Sequence, residues 1–287
     1  MKVVLAPGCG FCFGVKRAVD IARSARTLYD EVYVYGELIH NRQILSQLVH
    51  EGIFSCQEND LPRLVERTRG GEKLCLLIRA HGVSPEKRKY LHSLPIPLKD
   101  ATCPDVGRIA GKIRQYGNKG YVVLIYGDRT HPESQGLLGY APKGFIVENS
   151  GDVAQLPSLK NEPICILSQS TMSVENFHEV CQATRRKYPQ LLILDTICPA
   201  TKLRQNSIKY LLERGAESIV VVGDKHSSNT QQLHRLASQF RPTFWVQNVE
   251  TLTSVFVPNN QNIVGVTAGA STPQDVVNEV CRALSQH

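Results

Sequence analysis

Short apolar runs rich in Val, Ile and Leu recur along this chain. Each ends in small or polar residues, and a stretch of helical periodicity follows. "YVVLIYGDRTH" at 121–131 and "SIVVVGDKH" at 218–226 share one outline: a β-rich run, then Gly-Asp, then His. "VYVYGELIH" at 32–40 repeats it with Glu in place of Asp. The runs lack clean polar alternation, which predicts strands of a parallel sheet covered on both faces. Between them the apolar spacing changes to three and four, as in Val15, Val19 and Ala22, or Phe177, Val180, Cys181 and Thr184. Val277, Val280, Cys281 and Leu284 continue the pattern near the end. These predict helices with one buried stripe.

The outlines recur at nearly constant intervals, which is the mark of internal duplication. Gly36, Gly127 and Gly223 close the three runs at steps of 91 and 96 residues. A second set, "CLLIRAHGVS" (75–84), "CILSQSTMS" (165–173) and "VGVTAGAST" (264–272), brings His81, Thr171 and Ser271 into register. "FSCQEN", "FIVEN" and "FWVQN" align on Asn59, Asn149 and Asn248. Finally "DATCP" (100–104) returns as "DTICP" (195–199), so Cys103 and Cys198 are equivalent, and Cys12 in "GCGFCFGVKRAV" holds their place in the first repeat. The predicted fold is α/β: three tandem units, 1–94, 95–189 and 190–287, with parallel sheets around a pseudo-threefold axis and a central cavity. Ligands bind beyond the carboxyl ends of parallel strands, where all the recurring motifs fall.

Composition narrows the chemistry. A formal charge of +7 suits an anionic ligand or an acidic partner, while no Lys/Arg block argues for nucleic acid. No apolar run reaches the ~20 residues of a membrane span, and "MKVVLAPGC" is too short a hydrophobic start for a signal peptide. A cytosolic location is expected, with the nine cysteines reduced. Proline after Cys103 and Cys198 favours the first helical position, so each thiol should cap a helix and see its positive end. Three thiolates at one centre admit structural zinc, an iron–sulfur cluster with one open iron, or inert burial. Zinc usually takes four ligands from paired hooks, and only Cys9-x-x-Cys12 has that spacing. Cys75 and Cys165 in strands, and Cys181 and Cys281 on apolar helix faces, read as core packing; Cys56 reads as incidental, and Cys9 is left open as a substitute ligand.

"GFCFGVKRA", "GELIHNRQ", "RAHGVS", "DATCP", "HPE", "SQST", "DTIC", "SSNT" and "TAGAST", in that order, resemble the motifs of the 4-hydroxy-3-methylbut-2-enyl diphosphate reductase family across residues 9–281. The resemblance implies one [4Fe–4S] cluster on Cys12, Cys103 and Cys198, with an iron not ligated by cysteine. The implied reaction is reductive removal of the substrate's allylic hydroxyl, yielding isopentenyl and dimethylallyl diphosphate. By the same resemblance Glu133 relays protons, Ser170 or Thr171 orients the alcohol, and His40, His81, His131, Ser227, Ser228, Asn229 and Ser271 bind the diphosphate. It further implies an electron donor such as ferredoxin or flavodoxin, for which the basic runs "EKRKY" and "ATRRKY", otherwise solvated helix faces, offer a rim. His50, His92, His178, His234 and His287 lack such placement. Asp128, Arg129, Pro199, Asp224 and His226 depart from the family pattern, and an Asp224 beside a diphosphate would be unfavourable unless it points away or pairs with Lys225. Two rival readings are a redox-neutral [4Fe–4S] hydro-lyase acting on a phosphorylated alcohol and a non-enzymatic iron–sulfur sensor.

Overall fold

The computed structural model describes residues 1–159, 162–255 and 263–286. Its strands form three parallel sheets of four. One sheet contains β2 (Glu31–Tyr35), β3 (Ile53–Cys56), β4 (Leu74–Ile78) and β5 (Leu98–Asp100) in the order β3-β2-β4-β5. The next contains β6 (Val122–Tyr126), β7 (Gly144–Val147), β8 (Ile164–Ser168) and β9 (Leu192–Leu194) in the order β7-β6-β8-β9. In the last, β10 (Ser218–Val222), β11 (Thr243–Val246) and β12 (Ile263–Ala268) are completed by β1 (Lys2–Leu5), in the order β11-β10-β12-β1. The three orders are identical once β1 is counted as the fourth strand of the last sheet.

Register repeats as closely as order. Val32 pairs with Cys75, Val123 with Cys165, and Ile219 with Gly265, in each case four residues before the glycine that closes the first strand. The third repeat has glycine where the others have cysteine for a packing reason: a Cβ on Gly265 would lie 3.0 Å from Leu211 Cδ1 and 3.1 Å from Ala216 Cβ. In β4, β6, β8 and β10 every residue is buried, as expected of strands covered on both faces.

The helices bury the stripes that the spacing predicts. Within α8 (Val174–Lys187) the buried residues are Phe177, Val180, Cys181 and Thr184, and Phe177 stacks on Tyr126 at 5.7 Å. In α12 (Gln274–Ser285) they are Val276, Val277, Val280 and Leu284, with Cys281 packed at their edge. Asn149 and Asn248 cap α7 (Ser150–Gln155) and α11 (Val249–Val255), through Asp152 N at 3.1 Å and Thr251 N at 2.9 Å. Asn59 does not share that role; it lies one position later, inside the 3-10 turn Glu58–Asp60 that leads into α3 (Leu61–Arg69).

Two compact bodies account for the chain. One comprises residues 1–16, 40–43 and 198 onward, and holds the sheet β11-β10-β12-β1; the other comprises 17–39 and 44–197, and holds the two remaining sheets. Among the described residues, no helix is long and apolar enough to cross a membrane.

In every sheet the strand order reverses between the first and third strands, which makes a topological switch point. Each fourth strand leads into a cysteine and then a helix: β1 to Cys12 and α1 (Phe13–Arg26), β5 to Cys103 and α5 (Pro104–Gly117), β9 to Cys198 and α9 (Pro199–Glu213). The motif loops therefore leave the carboxyl ends of the strands.

Candidate active site

In the body built from residues 17–39 and 44–197, the loop after β6 enters α6 (Pro132–Leu138) through His131. The His131 side chain caps the helix, with Nδ1 accepting the Glu133 N–H at 3.1 Å. That bond fixes the neutral tautomer with its proton on Nε2. The His131 ring meets His81 edge to face, with centroids 5.2 Å apart. His81 sits after β4 in a turn that Gly82 makes at φ +70°, a conformation that L side chains rarely adopt.

Glu133 is 1% exposed. Its carboxylate accepts Ser170 N at 2.6 Å and Ser170 Oγ at 2.7 Å. Burial drives its pKa upward from 4.5, and the two Ser170 bonds only partly offset that, leaving it at about 7. A carboxyl of this kind is divided between its protonated and ionised forms near neutrality.

Gln169, which the sequence reading did not single out, organises these loops. Its fully buried amide donates from Nε2 to Thr171 Oγ1 at 3.0 Å, while Oε1 accepts Ser134 Oγ at 2.9 Å and Asp128 N at 3.0 Å. Gly127 has to lack a side chain here, because a Cβ would stand 2.5 Å from Ser134 Oγ and 2.9 Å from Gln169 Oε1. Asp128 and Arg129 are absorbed locally. Burial works to raise the Asp128 carboxyl, but the N–H and hydroxyl of Thr130, both at 2.7 Å, outweigh it and hold it below its ordinary range. Arg129 pairs with Asp152 at 2.5 Å.

Cys103 stands at the N-cap position of α5 with Pro104 at the first helical position, but its thiol accepts no capping N–H; its own N–H donates to Ala80 O at 2.9 Å, tying it to the His81 loop. His81 also lines a cavity of about 570 Å³ among α4 (Pro85–Ser93), α5 and α6. Arg88, Lys89, His92 and Arg114 line it too, and no carboxylate does among the described residues.

In the other body, Cys198 caps α9: Thr201 N donates to its Sγ at 3.4 Å, and Thr201 Oγ1 lies 3.1 Å from the same sulfur. Cys12 precedes α1, with Val15 N donating to Sγ at 3.5 Å. Arg204, 3% exposed, was also not picked out from sequence. Its Nη2 donates to Gly10 O at 2.7 Å and Nη1 to Ala200 O at 3.1 Å, and Nε has no hydrogen-bond partner. Burial lowers its pKa, while Cys12, Cys9 and Cys198 nearby favour its charge. For Cys9 itself, burial pushes the thiol up to about 11, the behaviour of a packing residue.

The remaining predicted residues gather around the loops after β10 and β12. Ser227 caps α10 (Ser228–Ser238), accepting Thr230 N at 3.4 Å, and Ser228 opens that helix. Asn229 ties two loops together: Nδ2 donates to Thr201 Oγ1 at 3.4 Å and Oδ1 accepts Ala270 N at 3.0 Å. Ser271 Oγ donates to His40 O at 2.9 Å. Gly269 keeps the turn open, since a Cβ there would sit 2.0 Å from Thr230 Oγ1. Asp224 points away from solvent into backbone amides, not toward Lys225. Cys56, Cys75, Cys165 and Cys181 are buried thiols whose pKa values burial raises; His287 lies outside the described residues.

The Glu133 environment has a consequence for stability. A carboxyl at 4.5 when unfolded and about 7 when folded binds more protons in the folded state between those values. Stability from this group is therefore fully present below about pH 4.5 and is lost as pH rises through about 7. Glu133→Gln does not titrate, so its melting temperature minus that of the wild type should increase from pH 5 to pH 8. A difference that stays flat across that range would contradict the raised pKa.

The profile of the LytB protein family matches residues 3–285. The 4-hydroxy-3-methylbut-2-enyl diphosphate reductase of Opitutus terrae is 44% identical over 289 residues, covering 99% of each chain. The protein of the same name from Thermoanaerobacter sp. is 36% identical over 288 residues, covering 99% of this chain and 96% of its own. Among solved structures, the E-1-hydroxy-2-methyl-but-2-enyl-4-diphosphate reductase of Plasmodium falciparum superposes with a TM-score of 0.87 at 27% identity, covering 99% of this chain and 88% of that one. An (E)-4-hydroxy-3-methyl-but-2-enyl diphosphate reductase, described as the terminal enzyme of the non-mevalonate pathway, gives 0.70 at 31% identity with full coverage of both. Repeat, sheet order, motif loops and relatives agree: this chain belongs to the LytB family.

Proposed function

We propose that this protein reductively dehydroxylates (E)-4-hydroxy-3-methylbut-2-enyl diphosphate to isopentenyl and dimethylallyl diphosphate, with Glu133 as the proton source. The observation that carries this reading is the Glu133–Ser170 pair, a buried carboxyl near neutrality held by a hydroxyl at 2.7 Å. The balance is two electrons and two protons in, with one C–O bond broken, one C–H bond formed and water released. Hydroxide leaves poorly, so an acid must protonate it, and a carboxyl with a pKa near the working pH is matched to that task.

Cys12, Cys103 and Cys198 are the proposed ligands of a [4Fe–4S] cluster with one iron free of cysteine. The donor set fits. All three thiols stand at helix starts, two of them accept backbone N–H groups, and Arg204 places a buried positive charge beside Cys12 and Cys198. When bound, such a cluster supplies the electrons and a Lewis-acidic site for the alcohol oxygen. The protein's part is positioning and proton transfer. Ser170 or Thr171 orients the alcohol, and Gln169 holds Thr171. His40, His81, His131, Ser227, Ser228, Asn229 and Ser271 receive the diphosphate, with His131 offering an Nε2–H donor and Ser227–Asn229 a helix start.

The proposed reductant is a small acidic redox protein, such as a ferredoxin or flavodoxin, in the cytosol. Lys89 and Arg114 around the cavity beside α5 complement its charge, while Arg88 is paired with Asp100.

Protein purified without oxygen should contain about four irons and four sulfides per chain. It should consume reduced viologen only when hydroxymethylbutenyl diphosphate is present. Glu133→Gln should keep the iron and lose turnover by at least about a hundredfold. One zinc without sulfide would eliminate the cluster. Turnover without reductant would favour a hydro-lyase, and iron with no turnover would favour a sensor. Replacing Lys89 and Arg114 by Glu should raise KM for the acidic carrier but not for viologen; equal effects on both would remove this surface from electron delivery.

A further inference from the structure

Asp224 and His226 lie in the turn after β10, and the Asp224 carboxylate is spent on two backbone amides there. Asp224 is 5% exposed, and each carboxylate oxygen takes a backbone amide. Oδ1 accepts His226 N at 2.8 Å, which closes the turn after β10. Oδ2 accepts Arg42 N at 2.9 Å, a residue 182 positions earlier.

Further bonds hold the same short segment. Ser271 Oγ donates to His40 O at 2.9 Å, and Asn41 Nδ2 donates to Ser271 O at 2.7 Å. Arg42 Nη2 reaches His226 Nε2 at 2.6 Å, where the ring accepts from the guanidinium. Residues 40–43 belong to the compact body of β10 and β12, whereas the chain on both sides of them belongs to the other body. Arg42 and Gln43 open the helix Arg42–His50, whose first N–H groups have no acceptor within the helix, and Asp224 takes the one on Arg42.

We propose that Asp224 is a positioning residue for His40. By accepting the Arg42 N–H it fixes the backbone of 40–42, and with it the direction from which His40 meets the diphosphate. The inference rests on His40 binding phosphate, as set out above. A carboxylate is required because two amides must be accepted at once. Asparagine offers one acceptor and turns an NH₂ toward the other amide, and serine is too short to span both.

The test is calorimetric titration of the intact holoenzyme with inorganic diphosphate, using Asp224→Ser and Asp224→Asn in the wild-type and His40→Ala backgrounds. Either Asp224 variant should weaken binding about tenfold in the wild-type background. In the His40→Ala background it should cost less than about twofold more, because both changes remove one interaction. In steady-state assays KM should rise about tenfold with kcat nearly unchanged, the signature of lost binding rather than lost chemistry. Asp224→Asn keeps the shape, so it decides the matter if Asp224→Ser does not fold. Equal losses in both backgrounds, or no loss while His40→Ala does weaken binding, would overturn the positioning role and leave the function intact. No effect of His40→Ala itself would remove this proposal and the phosphate role of His40 together.

Discussion

A carboxyl group sealed from water and denied a cation has two ways to persist: it keeps its proton, or it collects donors. Glu133 does some of each. Ser170 gives it an N–H and an O–H, yet burial still prevails, and the pKa stands about 2.5 units above an ordinary glutamate, on the order of 3 kcal/mol of differential stabilisation. The rest of the region serves that balance. His131 caps the helix that delivers Glu133, Gln169 holds the loops on either side, and Gly127 leaves room for both. A cation beside the carboxyl would hold it ionised.

The repeated sheet explains how such a site arises in an ordinary α/β chain. Parallel strands need long crossovers, and each crossover delivers a loop and a helix start at the carboxyl edge. Three sheets of four strands supply twelve such loops among the described residues, and some equivalent positions carry different residues, as at His81, Thr171 and Ser271, while others keep one, as at Cys12, Cys103 and Cys198. Gly265 shows how one repeat differs from the others: a side chain there would press on Leu211 and Ala216.

Much of this was legible before any coordinates. Strands, helix stripes and the caps at Cys103 and Cys198 follow from local rules that depend only on neighbours in sequence, and the duplication amplified each signal threefold. Strand pairing between distant segments is a different matter. Nothing in "KVVL" says that β1 completes the sheet of β12, some 260 residues away. Gln169 and Arg204 were missed because a buried polar residue has no periodicity of its own, and its value depends on which oxygens surround it. The direction of Asp224 is illegible for the same reason, because it depends on a backbone amide 182 positions distant.

Glu133 and Arg204 are two buried ionisable groups that these loops organise. Arg204 lies among Cys9, Cys12 and Cys198 with its Nε unpartnered, and burial lowers its pKa, whereas the surroundings of Glu133 favour a neutral acid. Difference infrared spectroscopy of the wild type against Glu133→Gln reads the protonation of Glu133 directly. A protonated-carboxyl band assigned to Glu133 should be present at pH 5.5 and disappear with a midpoint close to 7; a midpoint near 4.5 would mean that the buried acid does not exist.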